Sequence, residues 1–412
     1  MHLIQPFAGL RPAAGRAAEI VAPPYDVLSS DEARVRANGK PWSFLHISKP
    51  EIDLPAGTDL YSAEVYAKAA ENLARMREAG VLVQDASPLY YAYRIIMGEH
   101  VQTGLVAAAS VADYDKNRIR RHELTRPDKE DDRVRQIEAL NAQTGPVLLA
   151  YPPAPDVDRI LAQASQGEPL ADAVADDGVR HTVWAITDAA AIAALTAAFD
   201  ALPALYIADG HHRSAAASRV CASRRAANPA HTGNESYNYF LSVIFPEHQL
   251  KILDYNRVVT DLNGLSEDAF LASLATAFTV EPSTSPVKPA RHGEFGMFLT
   301  GKWYRLAIKP GLVPQDPVAR LDVSLLSDHL LTPILGIADL RRDKRIDFVG
   351  GIRGLPELEK RVNSGEMKVA FSMYPTTLAD LMAVADADQI MPPKSTWFEP
   401  KLADGLLSHV IG

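Results

Sequence analysis

At 412 residues the chain has room for two or three domains at ~150 residues each and is long enough to bury a large core. With 47% hydrophobic and 23% charged residues it has the composition of a globular protein; its net charge of −9 disfavours a bulk electrostatic grip on nucleic acid, and its single cysteine, Cys221, excludes an internal disulfide and a cysteine-based zinc site. No stretch reaches the ~18 apolar residues of a membrane helix, and residues 1–7 carry neither a basic start nor an apolar signal core, so a cytoplasmic protein without membrane or nucleic-acid partners is expected.

Residues 1–50 are irregular and punctuated by proline. Val21-Ala22-Pro23-Pro24-Tyr25-Asp26-Val27 cannot be regular helix, because Pro24 pushes Pro23 to extended geometry. A fixed corner there can hold Tyr25 and Asp26 rigidly, or simply cap the helix start at Ser29-Ser30-Asp31-Glu32. Residues 42–47 read as a strand. Residues 62–79 read as an amphipathic helix ended by Gly80, with Val65, Ala69, Leu73 and Met76 at helical spacing. Residues 89–96 and 100–111 read as a hairpin turning at Gly98 and Glu99.

The chain then becomes strongly polar. A helix is expected after Pro127, running through Leu140, with the proline near its first position. A solvated charged helix accounts for residues 128–135 but not for Arg121-His122-Glu123, which come before it starts. Residues 144–151 and 178–187 read as strands and 188–201 as a helix. A short apolar run, 205–208, then meets Asp209-Gly210-His211-His212-Arg213 and an alanine-rich helix former. Strand, helix, strand is the pattern of a crossover unit in a mixed sheet. Gly210 lets the backbone turn or approach a ligand, and the first amides of a helix starting near His212 are free to bind an anion. One carboxylate, two imidazoles and a guanidinium reach one corner, which suits a phosphate-handling site; the competing reading is a turn whose side chains satisfy one another.

Residues 237–245 and 250–254 read as adjacent strands, with Asn256 and Arg257 after them as exposed substrate contacts or a plain strand end. A helix is expected over 265–278, a hairpin over 296–299 and 303–308, a helix over 321–331 with a packed His329, a strand over 346–351 ending in Gly350-Gly351, a strand over 365–372 and a helix over 376–387. Met391-Pro392-Pro393-Lys394-Ser395-Thr396-Trp397-Phe398-Glu399-Pro400-Lys401 reads as a stiff extended loop. Lys394, Ser395 and Thr396 offer one cation and two hydroxyls to a phosphate or carboxylate, unless the loop is only structural, pinned by Trp397 and Phe398.

The segments Ala22 to Val27, Arg121 to Thr125, Lys129 to Arg133, Ala208 to Ala216 and Met391 to Lys401 together resemble the bacterial and archaeal family called domain of unknown function 1015, over nearly the whole chain. His122-Glu123 followed by Asp209-Gly210-His211-His212-Arg213 is also similar, more distantly, to the free-serine kinases of the ParB and sulfiredoxin-like superfamily. That resemblance implies an α+β fold: mixed sheets with a ParB-like core carrying the DGHHR turn, and a C-terminal α+β region. The regions expected are 1–112, 113–258 and 259–412. It implies Glu123 as general base, Asp209 orienting the hydroxyl or holding Mg2+, and His122, Gly210, His211, His212 and Arg213 on the phosphates. Arg121, Lys394, Ser395 and Thr396 are the expected substrate contacts. ATP or ADP is the expected phosphate donor and free L-serine the acceptor, with a homodimer left open. One departure is the spacing: about 85 residues separate Glu123 from Asp209, roughly double that of the kinases, which requires an insertion such as residues 152–178. Glycine-rich P-loop and protein-kinase signatures are absent. The alternatives are a metal-dependent phosphohydrolase of phosphoserine-like compounds, with Asp209, His211 and His212 on the metal, and a non-enzymatic ParB-like nucleotide-binding module.

Overall fold

The computed structural model describes residues 2–412 and separates into two compact units, Met1–Leu250 with Pro400–Gly412, and Lys251–Glu399. Both mix helices and strands, so the chain is α+β.

The first unit is built on a mixed sheet that has nine strands among the described residues. In chain order they are β1 (Ile4–Gln5), β2 (Tyr90–Met97), β3 (His100–Ser110), β4 (Ile119–Arg120), β5 (Val147–Tyr151), β6 (Ala171–Val174), β7 (Arg180–Ile186), β8 (Leu205–Asp209) and β9 (Tyr239–Pro246). The spatial order is β4-β8-β5-β9-β3-β2-β7-β6, and β1 pairs with β3. β4 runs parallel to β8 and β9 runs parallel to β5, while β8 and β5 are antiparallel. All eight residues of β9 are buried, as a central strand covered on both faces requires. The helices used below are α1 (Ala63–Glu78), α2 (Pro127–Leu140), α3 (Ala189–Asp200) and α4 (His211–Ala227). Ala216, Ala217 and Val220 of α4 and Leu195 and Phe199 of α3 pack with Val147, Leu149, Ile207, Phe240 and Ile244. Small residues on α4 let its backbone lie close to the sheet.

The expected strand–helix–strand over 178–208 is present, but β7 and β8 are not neighbours: β5, β9, β3 and β2 lie between them. Crossing from β7 to β8 takes five inter-strand steps of ~4.8 Å, or ~24 Å, of which a helix of α3's length can cover roughly 18 Å. The expected strand at 42–47 is instead a turn leading into a short helix, Leu45–Ser48. Phe44, Leu45 and Ile47 are buried beside Ala69, Leu73 and Met76 of α1, and so short an apolar run does not fix its own period.

A four-stranded sheet of Leu82–Gln84, Gly9–Pro12, Ser408–Val410 and Ala142–Gln143 returns the end of the chain to the first unit. The observed units therefore differ from the three regions expected. β3, before residue 112, pairs over residues 105–110 with β9, far beyond it, so the sheet joins what a linear reading divides.

The second unit holds a six-stranded antiparallel sheet in the order Phe278–Ser283, Lys302–Ile308, Glu294–Leu299, Val369–Met373, Tyr255–Val259, Ile346–Gly350. Lys251–Leu253 does not lie beside β9 as expected; it pairs with Trp397–Glu399, because both edges of β9 are already taken by β3 and β5. Asn256 and Arg257, expected to be exposed, are buried: they occupy a strand flanked on both sides. The helix expected over 321–331 runs as α-helix over Asp322–Leu326 and widens to a π turn over Ser327–Leu331. Among the described residues no helix is long and apolar enough to cross a membrane.

Candidate functional site

The site begins where β8 ends. Pairing with β5 shifts register between Ile207 and Asp209, a bulge of the kind that re-aims side chains at sheet ends. Gly210 follows at φ 100°, ψ 29°, which favours glycine. A β-carbon there would meet Arg213 Nε at 3.2 Å and Val147 Cα at 3.3 Å. α4 then starts at His211 with Gly210 as its N-cap, which has no side chain to bond the first turn, while the Asp209 carboxylate takes the Gly210 N–H; the amides after it can face an anion.

β4, lying parallel to β8, delivers Arg121-His122-Glu123 to this same corner. The His122 and His211 rings meet edge to face, 4.5 Å between centroids at 89°. The His122 backbone N–H points at His211 Nε2, 3.5 Å away, which leaves the His211 ring proton on Nδ1, 3.7 Å from Glu123 Oε2. Burial pushes the His122 pKa down to about 4, against the opposing effect of its bond to the Ile207 backbone. Burial also takes His211 well below its ordinary value, helped by the nearby His122, His212 and Arg121 charges. Both imidazoles are therefore neutral at pH 7. Glu123, by contrast, has a side chain 52% exposed and can meet a ligand. The Arg121 guanidinium lies 5.0 Å over the Tyr114 ring.

On the other side of the turn, Arg213 is buried among acids. It donates to the Pro146 carbonyl, to Asp26 Oδ2 at 3.3 Å and to Asp209 Oδ2 at 3.5 Å. Burial alone would lower its pKa, but Asp26 and Asp209 raise it overall. Asp209 also faces Lys401 Nζ at 3.5 Å. Burial works to raise its pKa, yet Lys401 and Arg213 hold it below the usual carboxylate value. Next to Arg213 a small cleft, open to solvent, is lined by Tyr25, Ser48, Arg133, Gly145 and Asp404 among others.

Two metal arrangements can be weighed. Asp209 is matched by Lys401 and Arg213 and would offer one carboxylate to Mg2+, an ion that in phosphate sites draws its other oxygens from substrate phosphates and waters. His122, Glu123 and His211 place three ligand atoms within 4.8 Å of one another. Two nitrogens and one carboxylate suit a transition ion rather than Mg2+. His212 joins neither group. Its Nε2 accepts the backbone N–H of Arg126 at 3.1 Å, directly before Pro127 at the head of α2, so it acts as a cap on that helix.

A family model described as "Protein of unknown function (DUF1015)" matches residues 4–324. The chain belongs to this family. No curated protein matches it. Among solved structures the DUF1015 chain is similar to a free serine kinase variant in complex with AMP, at 12% identity and TM-score 0.35, covering 73% of this chain and 92% of that one. It is similar to a conserved hypothetical protein from Pyrococcus furiosus at 14% identity and TM-score 0.34, covering 76% and 98%. It is also similar to SbnI with C-terminal truncation from Staphylococcus aureus at 12% identity and TM-score 0.37, covering 74% and 87%.

In this DUF1015 chain the structure brings Arg121, His122, Glu123, Asp209, Gly210, His211 and Arg213 together. Lys394, Ser395 and Thr396 belong to the second unit. Lys394 sits at φ 59° with its ammonium 5.5 Å from the Tyr255 ring centroid, and its carbonyl accepts from Arg257 at 3.0 Å. Ser395 Oγ donates to the Pro392 carbonyl at 2.6 Å, and the Ser395 carbonyl accepts from Thr376 Oγ1 at 2.8 Å. These bonds tie the Lys394 and Ser395 backbone to the rest of their unit. Sequence reasoning noticed the Pro23-Pro24-Tyr25-Asp26 corner without tying it to Arg213. Arg133 and Lys401 fall at the ends of segments that carry the family resemblance, but no role was read for either, and Asp404 lies outside every motif.

Proposed function

We propose that this chain is a small-molecule phosphotransferase, with a nucleotide as donor and the hydroxyl of free L-serine as acceptor. The observation that carries the reading is the meeting of an exposed carboxylate, Glu123, with neutral His211 at the head of α4. Phosphoryl transfer asks the protein mainly to position the reactants and to stabilise charge on the transferring oxygens. The α4 amides and Arg121 supply positive character for that charge. As the acceptor oxygen bonds to phosphorus, its proton passes to Glu123, and the bond from phosphorus to the nucleotide's bridging oxygen breaks. His211 Nδ1–H faces Glu123 Oε2 at 3.7 Å, outside direct hydrogen-bond reach, and Arg213 fixes Asp209 beside the turn. No step is assigned to Mg2+, which Asp209 would hold together with the nucleotide phosphates.

The test is incubation of the full chain with L-serine and ATP or ADP, with and without magnesium, followed by 31P NMR for O-phosphoserine. Glu123→Gln is expected to slow formation at least ~100-fold, the scale of a lost general base. A rate unchanged in that variant, or no product from any hydroxylated amino acid, sinks the reading.

A metal-dependent phosphohydrolase is the second reading, favoured by the His122, Glu123 and His211 ligand atoms. Elemental analysis of the purified protein, together with phosphate release from phosphoserine without nucleotide, separates it from the first.

A further inference from the structure

The cleft beside Arg213 has its own chemistry. Asp404 is 2% exposed and Ser48 is 6% exposed, both line the cleft, and Asp404 Oδ1 and Ser48 Oγ have no hydrogen-bond partner. Buried polar atoms are seldom left unpaired, and each one needs an explanation. Arg133 also lines the cleft. Its Nε and one terminal nitrogen bond Asp132 Oδ2 at 3.0 and 2.6 Å, the guanidinium stacks 3.8 Å from the Tyr25 ring centroid, and its second terminal nitrogen takes no hydrogen-bond partner among the described residues. The space is kept open by Gly145. A β-carbon there would touch Arg213 Cδ at 3.4 Å and Asp404 Oδ1 at 3.8 Å, filling the room in front of the unpaired oxygen.

We infer that this cleft binds a free α-amino acid as its zwitterion, the ammonium on Asp404 Oδ1 and Ser48 Oγ and the carboxylate on Arg133. A simple anion is the poorer fit. Arg213 is already matched by Asp26 and Asp209, and an anion held on Arg133 alone would leave the Asp404 and Ser48 oxygens without a cationic partner. A simple amine would leave the free edge of Arg133 unused. An α-amino acid carries both charges a few bonds apart and serves both ends. Burial raises the Asp404 carboxyl to about 7, against the pull of Arg213, so an arriving ammonium can ionise it. The inference rests on the phosphotransferase reading only for choosing serine as the first ligand; the binding chemistry stands on the cleft alone.

The experiment is calorimetric titration of the full chain, without nucleotide, with L-serine, serine methyl ester and glycerate. L-serine is expected to bind, and the two analogues, each lacking one charge, to bind at least ~10-fold more weakly. Asp404→Asn is expected to lower serine affinity ~10- to 100-fold, the range for losing a charged hydrogen bond. Ser48→Ala and Gly145→Ala disturb packing little and are expected to cost ~3- to 10-fold, with thermal unfolding confirming that each variant is folded. Absent serine binding, analogues that bind as well as serine, or folded variants that bind like the parent overturn the inference. Binding with no phosphoserine formed leaves the inference standing and removes the phosphotransferase reading. Phosphoserine formed at undiminished serine affinity in Asp404→Asn does the reverse.

Discussion

Arg213 and Arg257 are two buried arginines, one in each unit, and their surroundings are opposite. Arg213 lies among Asp26, Asp209 and Asp404, and the carboxylates outweigh burial, so its pKa is raised. Arg257, 1% exposed, has no carboxylate partner among the described residues. It donates to the backbone carbonyls of Tyr255 and Lys394 and lies over the Phe348 ring at 5.3 Å. Burial lowers its pKa to about 10, and its Nε is left without a partner. Carbonyls and an aromatic face hold a guanidinium in place as a strut. Several carboxylates, themselves partly solvated and shared with a lysine, make a charge network that a ligand can rearrange. Burial of an arginine therefore says little about function until the groups around it are named.

Four substitutions test this contrast. Arg213→Met strands Asp26 and Asp209 and is expected to cost about 3 kcal/mol in urea unfolding, the low end for breaking a buried pair because both carboxylates keep some solvent; a cost below that of Arg257→Met would reverse the comparison. Asp404→Asn is expected to stabilise the protein by about 2 kcal/mol at pH 8 and to have little effect near pH 4. The folded carboxyl holds its proton up to about 7, against an ordinary 3.8, so the folded state binds more protons between those values. Stability attributable to this group is present below pH 4 and lost as pH rises through 7. A difference in melting temperature that does not change with pH would remove Asp404 as the titrating group.

His212→Ala is expected to cost about 1 kcal/mol, as loss of a helix cap does, with faster hydrogen exchange concentrated in the first turn of α2. Exchange spread evenly over both helices would mean that the ring does not act as a cap. Arg257→Met is expected to be smallest, within about 1 kcal/mol of neutral, because two hydrogen bonds are exchanged for relief from burying a charge. A large loss would place Arg257 in the same class as Arg213.

Local pattern carried much of the fold. The Gly98-Glu99 hairpin, the helix opening at Pro127 and the turn at Gly210 each depend on a glycine or proline with a specific backbone role, and each is present. What could not be read was pairing between distant segments. Nothing near residue 250 says that β9 has no free edge, and nothing near residue 42 fixes the period of a stretch as short as Phe44-Leu45-His46-Ile47. The site divides in the same way. Arg121-His122-Glu123 stood out because charge precedes the helix that would have explained it. Arg133 did not, because it stands among Glu130, Asp131 and Asp132 and looks like any residue on a solvated face. Lys401 and Asp404 gain their meaning only from β8 and the Tyr25 corner, some two to four hundred residues earlier in the chain.

The return of residues 400–412 to the first unit has a consequence for biosynthesis. Because the second unit is spelled out between the two parts of the first, the ribosome releases β8, α4 and the Tyr25 corner long before Lys401 and Asp404 exist. Until then the Gly9–Pro12 strand lacks its partner Ser408–Val410 and presents an unpaired edge of the kind that invites misassociation. Completion of the candidate site is thus a late event in the life of the nascent chain, and chaperone dependence is expected to be greatest in the interval when the second unit has emerged but the closing strand has not.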